Sequence, residues 1–446
     1  MRFSLYRDRE ERMSAQTELM RKIGTKKARI CVVGLGYVGL PLAVAFARKG
    51  FFVYGLDKKP QHVTHLKKGE QYIVDVPPEH VTSLIRRKKF APTTDEEVLR
   101  DADVIILCVP TPLRKVKLPD VSYVMKASQT VGRYLRPGQL VVLESTSYPT
   151  TTREIVLPEL KKSGLEEEKD FFLCFSPERV NPGDKKFPLV KITKIVGGLS
   201  PRSTKMAKTL YGYIIPKIFA ASSPEVAETS KLLENTFRLI NIALVNEFAM
   251  VCEKLGIRIW EVIEAAKTKP FGYMPFSPGP GIGGHCIPTD PIFLSWKAKK
   301  LGFRTKMIDL ASFLNREMPR YVVDRVEKAL VARKRPLYGA PVLVLGVTYK
   351  KDVKDLRESP ALEIIEELQS RGAKTQYSDP LLPFLKIKEI DLRNVKLTVK
   401  NIKEYACVII VTDHSAVDYA RLQKHAQMIF DTRNVYQKAY ENVEVL

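Results

Sequence analysis

One cysteine lies in a segment that suits chemistry better than a hydrophobic core. Residues 279–291 read GPGIGGHCIPTDP, a stretch rich in glycine and proline around Cys286. Glycine has no side chain and tolerates positive φ, so a backbone of this composition can approach a ligand closely. A thiolate here can attack a carbonyl carbon and form a covalent intermediate. The structural alternative is an inert loop thiol.

The other five cysteines have a different setting. Each lies in a short apolar run typical of a buried strand or helix, and each is interpreted as a small hydrophobic residue. They are Cys31, Cys108, Cys174, Cys252 and Cys407. The six cysteines include no CxxC pair, which favours a reducing compartment and argues against disulfides.

Four polar side chains are candidates to assist the thiol. Asp290 follows Cys286 by four residues and could position a water molecule. Lys231 and Asn235 are spaced i, i+4 on a predicted helix, so a cation and an amide donor would lie side by side to stabilise a developing oxyanion. Glu178, in the segment SPERVNPG after a predicted strand, is a possible base. The alternatives are a solvated helix face for the pair and a surface carboxylate for Glu178.

A glycine-rich turn near the N-terminus has the pattern of a dinucleotide site. Residues 34–39 read GLGYVG directly after a β-branched run and before a predicted helix, and an acidic residue ends the next predicted strand. Both features accompany sites that hold a pyrophosphate at a helix N-terminus. The predicted cofactor-binding residues are Gly34, Gly36, Tyr37, Val38, Gly39 and Asp57. Asp57 would accept the ribose hydroxyls and repel a 2′-phosphate, which favours NAD over NADP, although Lys58 and Lys59 beside it leave NADP open.

Two further strand ends are expected to line the same crevice. Thr111 and Thr146 each follow a predicted buried strand. Ligands bind at the carboxyl ends of parallel strands, so both threonines are candidates for cofactor contact. Ordinary turn chemistry is the alternative.

The pattern of elements predicts an α/β fold with two Rossmann-like, doubly wound parallel-sheet domains joined by a long central helix. Strand-like and helical runs alternate from residue 28, and residues 224–255 form one amphipathic pattern that corresponds to a helix of roughly 45 Å. Alternation restarts near residue 336, with only Gly346 where the first domain has three glycines. The predicted segments are a basic N-terminal extension at 1–27, an NAD-binding domain at 28–215, a helical middle domain at 216–335 and a C-terminal domain at 336–446.

Composition excludes several classes of protein. The chain has 446 residues, 45% hydrophobic and 28% charged, which is ordinary for a soluble globular protein. It shows no secretory signal and no apolar run long enough to cross a bilayer, so a cytoplasmic protein without a membrane partner is predicted. The net charge of +23 is spread along the chain, which argues against nucleic acid and is compatible with an anionic small substrate. No metal site is predicted.

The longer motifs resemble those of the UDP-glucose/GDP-mannose dehydrogenase family. The segments ENTFRLINIALVNE, SPERVNPG, PGPGIGGHCIPTDP and LGVTYKKDVKDLRESPALEI carry the resemblance, which extends from about residue 28 to 440 and is closest to the UDP-N-acetylglucosamine 6-dehydrogenase branch. The resemblance implies two successive oxidations of a sugar C6 alcohol to a carboxylate, with two NAD⁺ consumed. It also implies a UDP-sugar-binding C-terminal domain and a homodimer or higher homo-oligomer.

The resemblance also implies a role for individual residues. Cys286 would capture the intermediate aldehyde as a thiohemiacetal that is then oxidised to a thioester. Asp290 and Thr146 would position water, Glu178 would assist hydrolysis, and Lys231 with Asn235 would hold the oxyanion. Arg357 would reach the cofactor. The implied substrate-binding residues are Lys231, Asn235, Phe276, Gly279, Gly283, Lys350 and Arg433.

Several alternatives remain at the level of the sequence. UDP-N-acetylmannosamine and UDP-glucose are alternative substrates, although the IPTDP that follows the thiol favours the N-acetylglucosamine branch. A protein that binds NAD and a nucleotide sugar without turnover is a further alternative. In UDP-glucose dehydrogenases an arginine before the thiol loop reaches the substrate of a neighbouring subunit. Pro270 occupies that position here, with Lys267 and Lys269 beside it as possible substitutes.

Overall fold

The computed structural model describes residues 15–73, 76–114, 118–180, 188–387 and 389–446. The chain divides into two compact units. The first consists of Met1–Leu233 and Ile292–Leu301, and the second of Glu234–Pro291 and Gly302–Leu446. Each unit is built around a largely or wholly parallel sheet, and the long helix that was predicted between them is present, so the predicted fold class is confirmed. The four-segment division of the chain stays a prediction.

The first unit contains an eight-stranded sheet within the described ranges, in the order β3-β2-β1-β4-β5-β6-β7-β8. Its strands are β1 (Arg29–Val33), β2 (Phe52–Leu56), β3 (Phe90–Thr93), β4 (Val104–Leu107), β5 (Leu140–Leu143), β6 (Phe172–Phe175), β7 (Lys194–Gly198) and β8 (Ile218–Ala220). Neighbours are parallel except β6 and β7, which are antiparallel. The order reverses between β1 and β4, and this reversal opens the crevice in which such sheets bind ligands.

Helices cover both faces of this sheet, which is why β4, β5 and β6 are apolar throughout and fully buried. The helices are α1 (15–24), α2 (Gly39–Arg48), α3 (Pro60–Lys68), α4 (Pro78–Arg86), α5 (Val98–Asp101), α6 (Ser122–Tyr134), α7 (Leu157–Lys161) and α8 (Pro201–Tyr211). A π-helical turn at Thr152–Val156 leads into α7, and a 3₁₀ turn covers Leu189–Lys191.

Part of the predicted N-terminal extension is a folded helix. Leu19 and Ile23 of α1 are buried in the core of the first unit. The Lys22 Nζ lies 2.8 Å from a carboxylate oxygen of Asp103, and the Tyr213 hydroxyl donates to the Gly24 carbonyl at 3.0 Å. The segment 15–24 is therefore an integral layer of this unit, while residues 1–14 lie outside the described ranges.

Two helices continue from one unit into the other. The helix α9 (Pro224–Leu255) begins at a proline, as the sequence predicts, and passes from the first unit to the second after Leu233. The helix α11 (Cys286–Lys300) begins in the second unit and enters the first after Pro291. Of the predicted catalytic residues, Lys231 and Asn235 lie on α9, and Cys286 and Asp290 lie on α11.

The second unit contains a five-stranded parallel sheet in the part of the chain that the structure describes, in the order β10-β9-β13-β14-β15. Its strands are β9 (Pro341–Leu345), β10 (Lys374–Ser378), β13 (Cys407–Ile410), β14 (Ile429–Asp431) and β15 (Val443–Val445), with a separate antiparallel pair β11 (Phe384–Ile387) and β12 (Ile390–Arg393). Its other helices are α10 (Ile259–Lys267), α12 (Lys306–Ala332), α13 (Pro360–Ser370), α14 (Val399–Ile402) and α15 (Tyr419–His425). Among the described residues, no helix is both long and apolar enough to span a bilayer.

Candidate active site

The glycine-rich turn has the geometry that a dinucleotide site needs. Gly34 has φ +94°, and a Cβ added there would lie 2.5 Å from the Cys108 carbonyl oxygen. A Cβ added at Gly39 would lie 1.8 Å from the Gly34 carbonyl oxygen, so only glycine lets α2 start this close to β1. At Gly36 an added Cβ meets no described atom within 4 Å. The first and third glycines are thus required by packing, whereas the second faces open space that a pyrophosphate could fill.

Asp57 is held at this turn by partners that the sequence reading missed. One carboxylate oxygen accepts from the Leu35 N–H at 2.9 Å and lies 3.1 Å from the His62 Nδ1. The His62 ring stacks on Tyr72 with centroids 4.7 Å apart, and the Tyr72 hydroxyl donates to the Leu35 carbonyl at 2.8 Å. The arrangement fixes Asp57 beside the turn, in the position from which an aspartate accepts hydrogen bonds from the ribose hydroxyls of a dinucleotide.

The remaining predicted cofactor residues occupy the same edge of the sheet, except one. Thr111 and Thr146 follow β4 and β5; Thr111 is buried and Thr146 half-buried. Tyr37 is exposed at the turn, and Val38 is the N-cap residue of α2. Arg357 belongs to the second unit, where its guanidinium pairs with Asp355 at 2.7 Å. Its cofactor contact stays a prediction.

Glu178 is adjacent to a buried lysine, not on an ordinary solvated surface. One of its carboxylate oxygens accepts from the N–H groups of Arg179 and Val180, both at 2.6 Å, and the other lies 3.8 Å from the Lys194 Nζ. Lys194 also donates to Glu144 at 2.7 Å. Burial alone lowers the pKa of Lys194, but the two carboxylates outweigh it and raise the pKa, so the lysine stays charged. The rest of the SPERVNPG motif, residues 181–183, lies outside the described ranges.

Lys231 and Asn235 lie on the buried face of α9. Their exposed fractions are 8% and 4%, so the alternative of a solvated helix face is wrong. The Asn235 amide donates to an Asp290 carboxylate oxygen at 2.5 Å, and Asp290 is itself buried. The structure thereby brings two predicted catalytic residues from α9 and α11 into direct contact.

Cys286 is exposed and is the first residue of α11, not a loop residue as the sequence reading had it. Pro288 lies in the first turn of this helix, where proline is tolerated because its missing N–H would have no helical partner. The N–H groups of that turn favour negative charge on the sulfur. Asp290 follows one turn later, on the same face of the helix.

The other five cysteines are buried, as predicted, and none of the six described cysteines is in a disulfide. Burial raises the pKa of the Cys31, Cys108 and Cys174 thiols, and it raises that of Cys407 to about 12. Deep burial keeps these thiols protonated and unreactive. The position of Cys286 at an exposed helix N-terminus therefore distinguishes it from every other cysteine of the chain.

The glycines before the thiol pack against the second sheet. The Gly279 N–H donates to the side-chain oxygen of Asn246 at 2.9 Å, and a Cβ added at Gly279 would lie 2.8 Å from the Arg433 Nη1. A Cβ added at Gly283 would lie 2.5 Å from the Tyr349 Cβ. The Asn246 amide in turn donates to Asn315 of α12 at 2.9 Å. This buried asparagine pair, which sequence reasoning missed, fixes the loop that leads to Cys286.

Arg433 is half-buried and has no carboxylate within ion-pair distance of its guanidinium among the described residues. Its Nε donates to the Val411 carbonyl at 2.7 Å, and burial lowers its pKa. A partly buried cation is stabilised when its charge is compensated, so the arrangement is compatible with the predicted contact to an anionic ligand such as a diphosphate.

Lys350 and Phe276 complete the predicted substrate residues of the second unit. The loop that carries Lys350 follows β9, and its Val347 N–H donates to Asp379 at 2.7 Å. His414, fully buried, lies 3.1 Å from the same carboxylate oxygen. Phe276 packs edge-to-face on Phe237 of α9 with ring centroids 5.8 Å apart. Of the residues near Pro270, Lys267 pairs with Glu264 and Lys269 lies over the Phe271 ring.

Comparison with protein families matches most of the chain. Residues 28–215 match the NAD binding domain of the UDP-glucose/GDP-mannose dehydrogenase family, residues 225–317 its central domain and residues 343–438 its UDP binding domain. The chain belongs to the UDP-glucose/GDP-mannose dehydrogenase family. It is an NAD-dependent nucleotide-sugar dehydrogenase, so the predicted enzyme class and the predicted cofactor are confirmed.

Similar proteins divide between two substrates. A UDP-N-acetyl-D-glucosamine 6-dehydrogenase of Pseudomonas aeruginosa is 39% identical over 80% of this chain and 83% of its own length. A UDP-N-acetyl-D-mannosamine dehydrogenase of Methanococcus maripaludis is 36% identical over 91% and 93%. The solved structure of the UDP-D-ManNAc dehydrogenase from Pyrococcus horikoshii superposes with a TM-score of 0.85 at 32% identity, covering 94% of this chain and 98% of that one.

Proposed function

We propose that this enzyme oxidises the C6 alcohol of a UDP-N-acetylhexosamine to a carboxylate, with UDP-N-acetylglucosamine as the favoured substrate. The observation that supports this most directly is the exposed Cys286 at the start of α11, one turn before an Asp290 that is hydrogen-bonded to Asn235. Net oxidation of an alcohol to an acid removes four electrons. The NAD bound at the glycine-rich turn supplies the hydride acceptor, and two NAD⁺ become two NADH for each sugar.

The thiol explains how one site performs both oxidations. After the first oxidation, the Cys286 sulfur adds to the C6 aldehyde, and the carbonyl oxygen takes up a proton to give a thiohemiacetal. Loss of the second hydride from the same carbon and of the hydroxyl proton leaves a thioester. Water then adds to the thioester carbon, the carbon–sulfur bond breaks, and the carboxylate and the thiol are released. The covalent link keeps the reactive aldehyde from escaping between the two steps.

The polar residues proposed to assist the thiol have complementary roles in this scheme. Lys231 and Asn235 stabilise the oxygen that becomes negatively charged when the carbon is tetrahedral. Asp290 orients the water, with Thr146 as a second contact. Glu178, held against the buried Lys194, assists removal of a proton from that water.

The second unit holds the nucleotide. Arg433 offers a half-buried cation without a carboxylate partner among the described residues, and Lys350 lies on the loop after β9. Both suit the diphosphate of a UDP-sugar. The close packing of Gly279 on Arg433 joins this anion site to the loop that leads to Cys286.

The identity of the hexose is the least constrained part of the proposal. The IPTDP sequence after the thiol favours the N-acetylglucosamine branch. The relatives at 36–39% identity include dehydrogenases of both UDP-N-acetyl-D-glucosamine and UDP-N-acetyl-D-mannosamine. UDP-N-acetylmannosamine is therefore the alternative substrate, and UDP-glucose is a weaker one.

Purified enzyme with NAD⁺ and a panel of UDP-sugars tests the proposal. We expect two NADH per UDP-N-acetylglucosamine, at most one NADH and no acid after Cys286→Ala, and almost no net acid with Cys286→Ser, whose hydroxyl is a poorer nucleophile. Preference for another UDP-sugar would correct the substrate and leave the mechanism intact. If no UDP-sugar yields NADH, the chain is better described as a nucleotide-sugar binding protein.

We also propose that the enzyme is a homodimer or a higher homo-oligomer. The helix α9 exposes large apolar side chains along one stripe. They are Leu233, Phe237, Leu244, Phe248, Val251 and Leu255, each between 45% and 66% exposed. A continuous apolar stripe of this kind is typical of an interface, and a second copy of the same helix is its natural complement. Sedimentation equilibrium should give at least twice the chain mass. A cytoplasmic location is part of this proposal, and the cysteine pattern of the sequence, without a CxxC pair, supports it.

A further inference from the structure

One buried carboxylate of the first unit has no place in the scheme above. Glu228 lies on α9, one turn before Lys231, and is almost fully buried. Its two oxygens accept three hydrogen bonds from the segment after β5: from the Thr150 N–H at 2.5 Å, the Thr152 N–H at 2.8 Å and the Thr152 hydroxyl at 2.6 Å. In the described part of the chain, no lysine or arginine lies within ion-pair distance of it.

The segment that Glu228 holds is strained. Thr150 has φ +82°, a conformation that a β-branched residue adopts only when its surroundings impose it. Among the described residues, the Ser147 and Thr150 hydroxyls are buried without a hydrogen-bond partner. These local costs must be offset by contacts elsewhere, and the Thr150–Glu228 hydrogen bond acts directly on the strained residue.

The same segment also contacts α11. The Tyr148 ring lies against Trp296 with centroids 4.8 Å apart, and Glu154 pairs with Lys297 at 2.6 Å. Residues 147–154, which we call the strut, therefore touch α9 through Glu228 and α11 through Trp296 and Lys297. These are the helices that carry the proposed catalytic residues, and Thr146 immediately precedes the strut.

We propose that Glu228 is a positioning residue, whose carboxylate holds the strut in a strained conformation and so sets α9 against α11 for catalysis. The effect on turnover rests on the proposed function, whereas the structural effect does not. Because Glu228 acts through the strut, its loss should lower kcat and leave the KM for NAD⁺ nearly unchanged.

Glutamine and glycine replacements separate this role from a general loss of packing. In Glu228→Gln the amide oxygen can still accept from Thr152, but the amide N–H₂ faces the Thr150 N–H and leaves it without an acceptor. Glycine adopts φ +82° without strain, so Thr150→Gly should make the tether unnecessary. Glu225→Gln is the matched control, because Glu225 lies one turn away on α9 and pairs with Arg153 of the strut at 2.7 Å.

The fluorescence emission of Trp296, which contacts Tyr148 of the strut, measures the conformation of the strut in the absence of substrate. The chain has two tryptophans, so Trp260→Phe leaves Trp296 as the only tryptophan, and selective excitation of tryptophan then reports on it alone. In this background Glu228→Gln should shift the Trp296 emission and lower kcat by about 10- to 100-fold. Adding Thr150→Gly should restore both, and Glu225→Gln should change neither. An unchanged emission in Glu228→Gln, or a failure of Thr150→Gly to rescue, would overturn the proposal.

The pH dependence gives an independent reading. Burial raises the pKa of Glu228 to about 7, so the arrangement in which it is buried binds its proton more tightly than an open one. The buried arrangement as a whole therefore loses stability as pH rises through about 7, although the hydrogen bonds from Thr150 and Thr152 themselves favour the carboxylate and lower the pKa. The charged groups that interact electrostatically with Glu228 are Glu225 and Arg153, and Glu228 and Glu154 both act on Tyr148. The Trp296 emission should show a transition near pH 7 in the parent that Glu228→Gln lacks.

The single variant Thr150→Gly tests the proposed strain even if Glu228→Gln does not fold. It relieves the strain and leaves Glu228 in place, so it should raise the Tm; a lower Tm would contradict the premise of strain. If the Trp296 emission changes as predicted in the variants but the wild type turns over no UDP-sugar, the result counts against the proposed function only. Turnover by the wild type, combined with an emission that is insensitive to Glu228→Gln, would count against the positioning role only.

Discussion

At the scale of single residues, two cations of the structure differ in their partners. The buried Lys194 pairs with Glu144 and Glu178 inside the protein. The half-buried Arg433 donates to the Val411 carbonyl and has no carboxylate within ion-pair distance among the described residues. A charge removed from water is costly unless it is compensated, so this difference supports the proposal that Arg433, and not Lys194, binds an anionic ligand.

Arg433→Ala should weaken binding of UDP measurably. A charge-assisted hydrogen bond contributes about 1.5–3 kcal/mol, which corresponds to a rise in Kd of roughly 10- to 100-fold. Isothermal titration calorimetry with UDP measures this directly, and NAD⁺ affinity should stay within about twofold. Arg421→Ala, which removes an exposed arginine of the same unit, is the control. Equal UDP affinity in both variants would exclude Arg433 from the diphosphate site.

Lys194→Met should destabilise the fold, because it leaves the buried Glu144 without its cation. Removing one partner of a buried pair costs about 3–5 kcal/mol. Urea unfolding should show this loss, and the double variant Lys194→Met/Glu144→Gln should recover part of it, since the orphaned charge is gone. A single variant as stable as the wild type would mean that Glu144 is protonated in the native protein.

At the scale of elements, both sheets use the same turn with different outcomes. Gly34 and Gly346 each follow the first strand of their sheet with positive φ, and an aspartate from the neighbouring strand accepts an N–H just beyond each glycine. A histidine nitrogen lies 3.1 Å from each aspartate, that of His62 in the first unit and that of His414 in the second. The second unit lacks the second and third glycines, so its turn serves to shape the loop of Lys350.

Glycine substitutions in the first turn should separate binding from stability. Gly36→Ala meets no atom within 4 Å, so the protein should keep its Tm, but the added methyl group occupies space for the pyrophosphate and NAD⁺ affinity should fall by more than about tenfold. Gly39→Ala would place a Cβ against the Gly34 carbonyl and should lower the Tm itself. Thermal unfolding and NAD⁺ titration of both variants test the distinction. A Gly36→Ala variant with normal affinity would contradict it.

At the scale of the whole molecule, the surface combines a net charge of +23 with the apolar stripe of α9. Like charges oppose association, whereas buried apolar area favours it at about 25 cal/mol per Å². The stripe lies opposite the face that holds Lys231 and Asn235. The apolar periodicity of α9 therefore serves the outer surface as well as the core.

Phe248→Glu should shift the oligomer towards monomer. A carboxylate in the centre of an apolar interface loses its hydration and meets its own copy across a two-fold axis, and both effects oppose association. Sedimentation velocity at micromolar concentration measures the shift. Glu247→Gln, the neighbouring substitution on α9, is the control. If Phe248→Glu keeps the wild-type sedimentation coefficient, the stripe is not the interface.

Much of the fold and part of the site were determined by local sequence. Alternating apolar runs specify strands and helices, and proline at position 224 starts the long helix, because these patterns act within a few residues. The glycines at 34, 36 and 39, the acidic end of β2 and the thiol at 286 are recognisable for the same reason. The family resemblance assigned roles to the other site residues, and those roles stay predictions.

Tertiary structure alone decided which partners these residues have. Glu228 meets Thr150 across 78 positions, Lys194 meets Glu144 across 50, and Asn246 meets Gly279 across 33. No local pattern encodes such pairs, because they form only when separate elements pack. The sequence of α9 also does not show which of its apolar faces is exposed. Both faces of that helix carry apolar residues, and only packing determines which face is covered.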